Sequence, residues 1–328
     1  MRLLSIGLGL AGLAAFTLVL GYFGAARVAA AALSVGWHGL ALLSAYQIGI
    51  FLVLGLAWWV VTPRHSGLSG AGFVWSRMVR DASGQLLPFS ALGGFVLGAR
   101  AANLHGLSWP LAAASTLVDV TAEFLAEMVF VALGLVVLAV RHPHSPLVVP
   151  LAAGLAVAGL LGGGFIAMQH GTDDLFRFLA PRIGAAWFQD AADQVATMQE
   201  ALAAMYRRRR RLLLSVALHF AGWILTAGSA WLGFRLLGVP ARFLDVFGLE
   251  ALVQGSMTLA FVVPGAIGVQ EGAFAGFATL FGLPPEVSLA VSLVMRARQV
   301  AVGVPVLLVW QFVELRRLRG RKQRSLVE

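Results

Sequence analysis

The sequence predicts an all-α polytopic membrane protein, and three observations carry that prediction. Of its 328 residues, 59% are hydrophobic and only 12% are charged, about half the ~25% charge of a typical soluble domain. The mean hydropathy is +0.85. Apolar stretches of about 20 residues, enough to cross a bilayer as a helix, recur along the chain. Such a composition excludes a soluble enzyme, a disordered chain and a disulfide scaffold. With no cysteine, thiolate metal sites, cysteine nucleophiles and thiol redox switches are excluded as well.

Six stretches read as full spans: Leu3–Phe23, Trp37–Val61, Leu111–Val140, Leu147–Met168, Leu212–Leu237 and Val287–Val313. The first follows Arg2 and ends in Ala-rich sequence, as a secretory signal does. The spans behind it make an uncleaved anchor the better reading. Two other stretches, Leu86–Leu104 and Phe243–Phe281, are interrupted by Gly and Pro. They are expected to dip into the membrane as re-entrant hairpins and return to the side they entered. Residues 1–328 then form a single integral membrane domain.

On that arrangement the N-terminus, the Pro63–Gln85 segment, the Gln169–Arg211 segment and the C-terminus share one side. That side holds 17 of the 24 basic residues, including the Arg207–Arg211 run and the cluster from Arg316 to Arg324. The opposite side holds Arg27, Arg141, Arg235 and Arg242. The positive-inside rule makes the richer side cytoplasmic, with both termini there. A net charge of +9 invites a nucleic-acid reading, but the charge sits where membrane topology puts it, so no nucleic-acid partner is expected. The basic face is instead expected to touch anionic lipid headgroups. The Asp173–Tyr206 stretch mixes aromatic and aliphatic residues with charges and reads as helices lying on the cytoplasmic membrane surface. Trp58 and Trp59 read as interfacial belt residues. The histidines are uninformative, and no metal, cofactor or catalytic motif is found.

A shift of 176 positions brings two parts of the chain into register without a gap. Pro88 meets Pro264, and Leu104, Gly106 and Leu107 meet Leu280, Gly282 and Leu283. Ala99, Ala102, Ala114, Leu117 and Val118 meet Ala275, Ala278, Ala290, Leu293 and Val294, giving nine identities in 31 positions. Residues 36–140 form repeat 1 and 212–316 form repeat 2, each reading as helix, broken hairpin, long helix. Residues 141–211 connect them, and 317–328 form a basic cytoplasmic tail. The charge count gives the repeats opposite topology. Inverted repeats with interrupted segments in corresponding positions point to a transporter whose site lies at the repeat interface. A duplication that only builds a stable scaffold is the other reading.

Polar residues inside the apolar sequence are the candidate site. Asp119, Glu123 and Glu127 fall at i, i+4 and i+8 and share one stripe of the Leu111–Val140 helix, which Thr116 extends. A charge at the bilayer centre costs at least ~2.5 kcal/mol, so this stripe must face protein or water. Arg296 and Arg298 lie at nearly the equivalent depth of the other repeat, which suggests ion pairs across the pseudo-symmetry axis. Two residues apart on a helix, they point about 200° from each other, so at most one faces the stripe squarely. A structural ion-pair lock and a polar pathway for a headgroup or a proton both stay open at this point. The segment from Pro264 and Gly265 through Gly268 to Gln270 and Glu271 combines a helix break with a carboxylate in the first turn of the next helix. Glu271 is either a cap or a group that meets substrate or carries a proton. Arg100, in the first hairpin, either binds a phosphate oxygen or snorkels to the interface.

The run from Pro264 to Gly272, followed by Phe281-Gly282-Leu283-Pro284-Pro285-Glu286 and Met295-Arg296-Ala297-Arg298, resembles the C-terminal signature of a flippase-like family. That family is named for the transmembrane region of lysylphosphatidylglycerol synthase. Val79 through Ser90, with Gly93-Gly94 and Gly98-Ala99-Arg100, is similar to its hopanoid-biosynthesis-associated branch. The resemblance covers essentially the whole chain. It implies a bacterial inner-membrane protein that moves or handles a lipid between leaflets, with a membrane lipid as substrate and lipid-biosynthesis enzymes as a further class of partner. The family's usual second glycine of the Pro-Gly-Gly turn is Ala266 here, and an acid often found after the second arginine is Gln299. Only a short basic tail follows the last helix in these residues, so aminoacyl transfer is not expected. A lipid flippase using Arg100 and Arg296 for an anionic headgroup, with Glu271, Asp119 and Glu123 as gates or proton carriers, is the leading expectation. An intramembrane lipid-modifying enzyme and a non-transporting scaffold for lipid-synthesis enzymes are the alternatives; no nucleophile–base pair favours the enzyme.

Overall fold

A computed structural model describes residues 30, 33–64, 67–87, 90–169, 186–260 and 266–324. Among these the chain is all α, with no strand. The ten α-helices of the described residues are α1 (Gly36–Val61), α2 (Gly70–Leu86), α3 (Ser90–Leu104), α4 (Trp109–Arg141), α5 (Val148–Met168), α6 (Ala186–Arg207), α7 (Arg209–Leu236), α8 (Phe243–Leu259), α9 (Val269–Ala278) and α10 (Pro285–Arg324). Among the described residues five helices are long and apolar enough to cross a membrane: α1, α4, α5, α7 and the Pro285–Arg317 part of α10. They correspond to five of the six expected spans. The sixth, Leu3–Phe23, lies outside the described residues.

The broken stretches become two helical hairpins, α2–α3 and α8–α9, whose arms pack on each other. The first hairpin starts earlier than the sequence suggested. Pro63–Gln85 was expected to be a connecting segment on the side of the termini, but most of it forms α2, which buries Phe73, Ser76, Arg77, Val79, Arg80 and Ser83. That buried set mixes aromatic, small and charged residues, so its hydropathy is too low to signal burial. Ser69 caps α2 by accepting from the Gly72 N–H at 3.3 Å, which satisfies one orphan donor of the first turn.

The 176-residue shift recurs in the backbone. After α3, the Leu107 N–H donates to Ala102 O and the Gly106 N–H to Asn103 O; after α9, Leu283 N–H donates to Ala278 O and Gly282 N–H to Thr279 O. Both are Schellman closures, which need a left-handed residue at the turn. Gly106 (φ 110°) and Gly282 (φ 66°) supply it. The next helices begin alike, with Ala112 N–H donating to Ser108 O and Ser288 N–H to Pro284 O. Packing follows the same correspondence. The first helix of each unit packs on its own hairpin, the hairpin on its own long helix, and each long helix on the hairpin of the other unit: α4 on α8, α10 on α2. The first helices, α1 and α7, pack together at the centre.

Two elements sit apart from this pattern. α5 buries none of its residues and packs mainly on α4. α6 was expected to lie on the membrane surface. Its described residues dock against α4, with Leu202 and Met205 buried in a cluster that includes Trp58, Leu107 and Val118. Its Tyr206 hydroxyl donates to Gln169 Oε1 at 2.7 Å, and Gln169 Nε2 donates to Thr121 Oγ1 on α4 at 3.2 Å. Trp59 is partly exposed, as a belt residue should be, but Trp58 is fully buried and its indole N–H donates to Ser115 Oγ at 3.2 Å.

Glycine sets how closely the first hairpin closes. A Cβ on Gly94 would stand 2.7 Å from Arg80 O and 2.9 Å from Gly84 Cα. Both are backbone atoms that cannot swing aside. Gly94→Val is therefore expected to force the hairpin apart and cost about 1–3 kcal/mol, read as a lowered midpoint of thermal unfolding in detergent.

Candidate functional site

Helical spacing places Arg77, Arg80 and Asp81 of α2 opposite Asp119 and Glu123 of α4. Arg80 Nη1 donates to Asp119 Oδ2 at 2.6 Å, and its Nη2 donates to Glu123 Oε2. Arg77 donates from Nη1 to Glu123 Oε2 at 3.1 Å, from Nη2 to Glu123 Oε1, and from Nε to Asp81 Oδ2 at 3.0 Å. His219 of α7 donates from Nε2 to Asp119 Oδ1 at 3.0 Å. Asp119 and His219 are fully buried, and Arg77 and Arg80 are each 3% exposed. The Phe95 ring of α3 lies 4.7 Å from the Arg80 guanidinium, a cation–π contact. The arrangement meets the demand that buried charges be paired and hydrogen-bonded.

The second unit has its own ion pair. Arg296 of α10 donates from Nε to Glu271 Oε1 at 2.7 Å and from Nη2 to Ala266 O at 3.0 Å. Glu271 Oε2 accepts from the Gly268 N–H at 2.8 Å, so the residue caps α9 and binds Arg296 at once. Gln270 Nε2 donates to Ser292 Oγ at 3.1 Å, tying α9 to α10. In the first unit the hairpin carries the bases and the long helix the acids; in the second the hairpin carries the acid and the long helix the base.

Between the units lies a cavity of about 610 Å³. Arg77, Arg80, Asp81 and Glu123 line it from one unit, and Glu250, Gln270, Arg296, Arg298 and Gln299 from the other. Its apolar walls include Leu54, Phe124, Trp223 and Phe274, and α5 closes one side with Leu161, Gly162 and Phe165. On the α4 stripe, Glu127 accepts through Oε1 from the Thr258 hydroxyl and from Gln254 Nε2, both on α8.

Several sequence expectations change here. Asp119 and Glu123 were expected to pair with Arg296 and Arg298 across the two units. They pair with Arg77 and Arg80 of their own hairpin, because α2 enters the interior beside them. Arg298 instead donates to Ser229 of α7 at 2.5 Å. Arg100 is outside the cavity and donates to Glu314 Oε1 at 2.7 Å. Pro264 and Gly265 lie outside the described residues. Gly268, Gln270, Glu271 and Arg296 do come together. Arg77, Arg80, His219 and Glu250 were not recognised from sequence as site residues. Glu250 had a readable signal, an acid within an apolar stretch; the i, i+3 spacing of Arg77 and Arg80 beside a broken hairpin was a weaker one.

The family model described as the lysylphosphatidylglycerol synthase TM region matches residues 4–306. No curated protein matches the chain, and no solved structure does.

Removing one partner of the ion network should be costly. Arg80→Met alone strands Asp119 and Glu123 with one guanidinium fewer and is expected to cost about 3–5 kcal/mol, whereas Arg80→Met combined with Glu123→Leu should cost less than the sum of the single changes. A double-mutant cycle on thermal unfolding checks this. Ala266 is the one non-glycine residue with positive φ among the described residues (φ 47°), at the position where the resemblance calls for glycine. Relief of left-handed strain outweighs the added chain entropy. Ala266→Gly should therefore raise stability by up to about 1 kcal/mol, while Ala266→Val lowers it, since a β-branched residue tolerates this region least.

Proposed function

The chain belongs to the lysylphosphatidylglycerol synthase transmembrane-region family, and from that premise we propose that it moves a lipid between the two leaflets of its membrane through the cavity between its repeats. It is a multi-pass membrane protein with a membrane-lipid-related role; transport, its direction and its cargo belong to the proposal. The observation that carries the reading is one chamber lined by the ion pairs of both units and walled by apolar side chains. Its volume falls within the 300–1,000 Å³ usual for ligand sites. A phosphate-bearing headgroup would compete with the carboxylates for the guanidinium groups, since both accept charge-assisted hydrogen bonds from arginine. The acyl chains would stay in the apolar surroundings beside α5, whose lack of buried residues suits a lateral door.

Each long helix packs on the hairpin of the other unit, so rocking of one unit against the other would reshape the chamber. Units of opposite topology would then expose it to the two leaflets in turn. The re-entrant course of the hairpins belongs to the same reading. We place the protein in a bacterial inner membrane with cytoplasmic termini: the excess of basic residues on that side survives the burial of Arg77 and Arg80. A headgroup from the hopanoid or isoprenoid class and an anionic phospholipid are both cargoes to be offered.

Purified protein in liposomes carrying fluorescent lipids tests this, scored for leaflet exchange by quenching from outside and for new products by chromatography. Wild type should exchange lipid without product. Glu271→Gln and Arg296→Lys each weaken the second ion pair and should slow exchange about tenfold, equivalent to about 1.4 kcal/mol of barrier. Equal rates in both variants and wild type would remove this pair from the path. A new product would favour the lipid-modifying enzyme.

A further inference from the structure

The charges around the chamber do not balance. Four guanidinium groups, Arg77, Arg80, Arg296 and Arg298, stand among six carboxyls, Asp81, Asp119, Glu123, Glu127, Glu250 and Glu271. Protonating His219 on Asp119 would still leave one carboxyl in excess. The surplus is localised. Asp81, Asp119, Glu123 and Glu271 all sit in ion pairs with arginine. Among the described residues Glu127 and Glu250 do not: Glu127 is held there by Thr258 and Gln254 alone, and Glu250 Oε2 is buried with no hydrogen-bond partner. Glu127 is 7% exposed and Glu250 8%, and both line the chamber.

The two sites adjoin through α8. Glu250 and Gln254 fall at i and i+4 on one face, and Gln254 donates to Glu127. Arg298 is the cation that acts on Glu250, yet it spends its Nη1 on Ser229, and its Nε has no partner. Other charged or titratable groups on the packed elements are engaged elsewhere. From α4, Glu123 binds Arg77 and Arg80, and Arg141 binds Asp245 at the far end of α8. From α7, His219 binds Asp119, and the Arg235 guanidinium lies near the Trp231 ring; from α9, Glu271 binds Arg296. A buried carboxylate without a hydrogen-bonded counter-charge carries a penalty of several kcal/mol, which a bound proton removes.

We propose that Glu127 and Glu250 form a proton-binding site that couples lipid movement to the transmembrane proton gradient. This rests on the transport reading of the chamber. Each carboxyl takes a proton from water when the chamber opens to one side and returns it to water on the other. In its neutral form the site lets the apolar chamber close; in its ionised form it holds the chamber open to water. Gln254 and Thr258 keep their donors on Glu127 in both forms, and Glu250, with one oxygen free, has room for the proton.

Two measurements test the proposal separately. Infrared spectroscopy of the purified protein at neutral pH should show the carbonyl stretch of a protonated buried carboxyl, diminished in Glu127→Gln or Glu250→Gln. If no such band is present, or if neither variant diminishes it, the site is wrong whatever the lipid assay gives. In liposomes, a pH gradient should speed exchange in one direction at least threefold for wild type, while the double Glu→Gln variant exchanges at one rate with or without the gradient. A gradient effect that survives in the double variant, or one that a sodium gradient reproduces at equal pH, overturns proton coupling at this site. Absence of exchange in every vesicle overturns coupling together with the transport reading, and the infrared band then decides the site alone.

Discussion

The need to neutralise charge away from water organises this molecule. Arginines and carboxylates inside a membrane domain have no bulk solvent to screen them, so each must find a counter-charge or a hydrogen-bond partner within the fold, or, for a carboxylate, take up a proton. Arg77, Arg80, Asp119, Glu123 and His219 do so in one connected network of three helices. That network fixes where α2 sits relative to α4 and α7. The first hairpin is therefore held by charge as well as by the Phe73 and Val79 core. The α9–α10 contact repeats the solution on a smaller scale through Glu271 and Arg296.

Much of the fold was legible because hydropathy and helix breaks are local signals. Five described spans fall where apolar runs predicted them, and the Gly106 and Gly282 turns sit at the positions that the repeat register matched. α2 was not legible as an interior helix, because its buried face is built from Ser76, Arg77, Arg80 and Ser83. Those residues read as solvent-facing until their partners on α4 are known. The docking of α6 was hidden for a related reason, since Leu202 and Met205 alone do not distinguish a helix packed on protein from one resting on lipid.

The site was partly legible. Acids on a single stripe of α4 had to face inward, and Glu271 after a helix break had to cap or bind. What the sequence could not supply was pairing. Depth alone suggested that Arg296 and Arg298 meet Asp119 and Glu123, because they occupy equivalent levels of related helices. The missing fact was that each hairpin brings charge of the opposite sign to its own long helix, and that depends on the rotation of α2 and α9 about their axes.

The exchanged polarity of the two ion pairs bears on how the chain assembles. Each hairpin touches both long helices: the first meets α4 through α3 and α10 through α2, and the second meets α10 through α9 and α4 through α8. Setting α9 rather than α8 against α4 would bring Glu271 to Asp119 and Glu123, and turning the arginine face of α2 toward α10 would gather Arg77 and Arg80 with Arg296 and Arg298. Like charges in hydrocarbon repel strongly. The sign of each hairpin thus works as an address label: of the two long helices it touches, its own is the one that meets its charged side chains with the opposite charge.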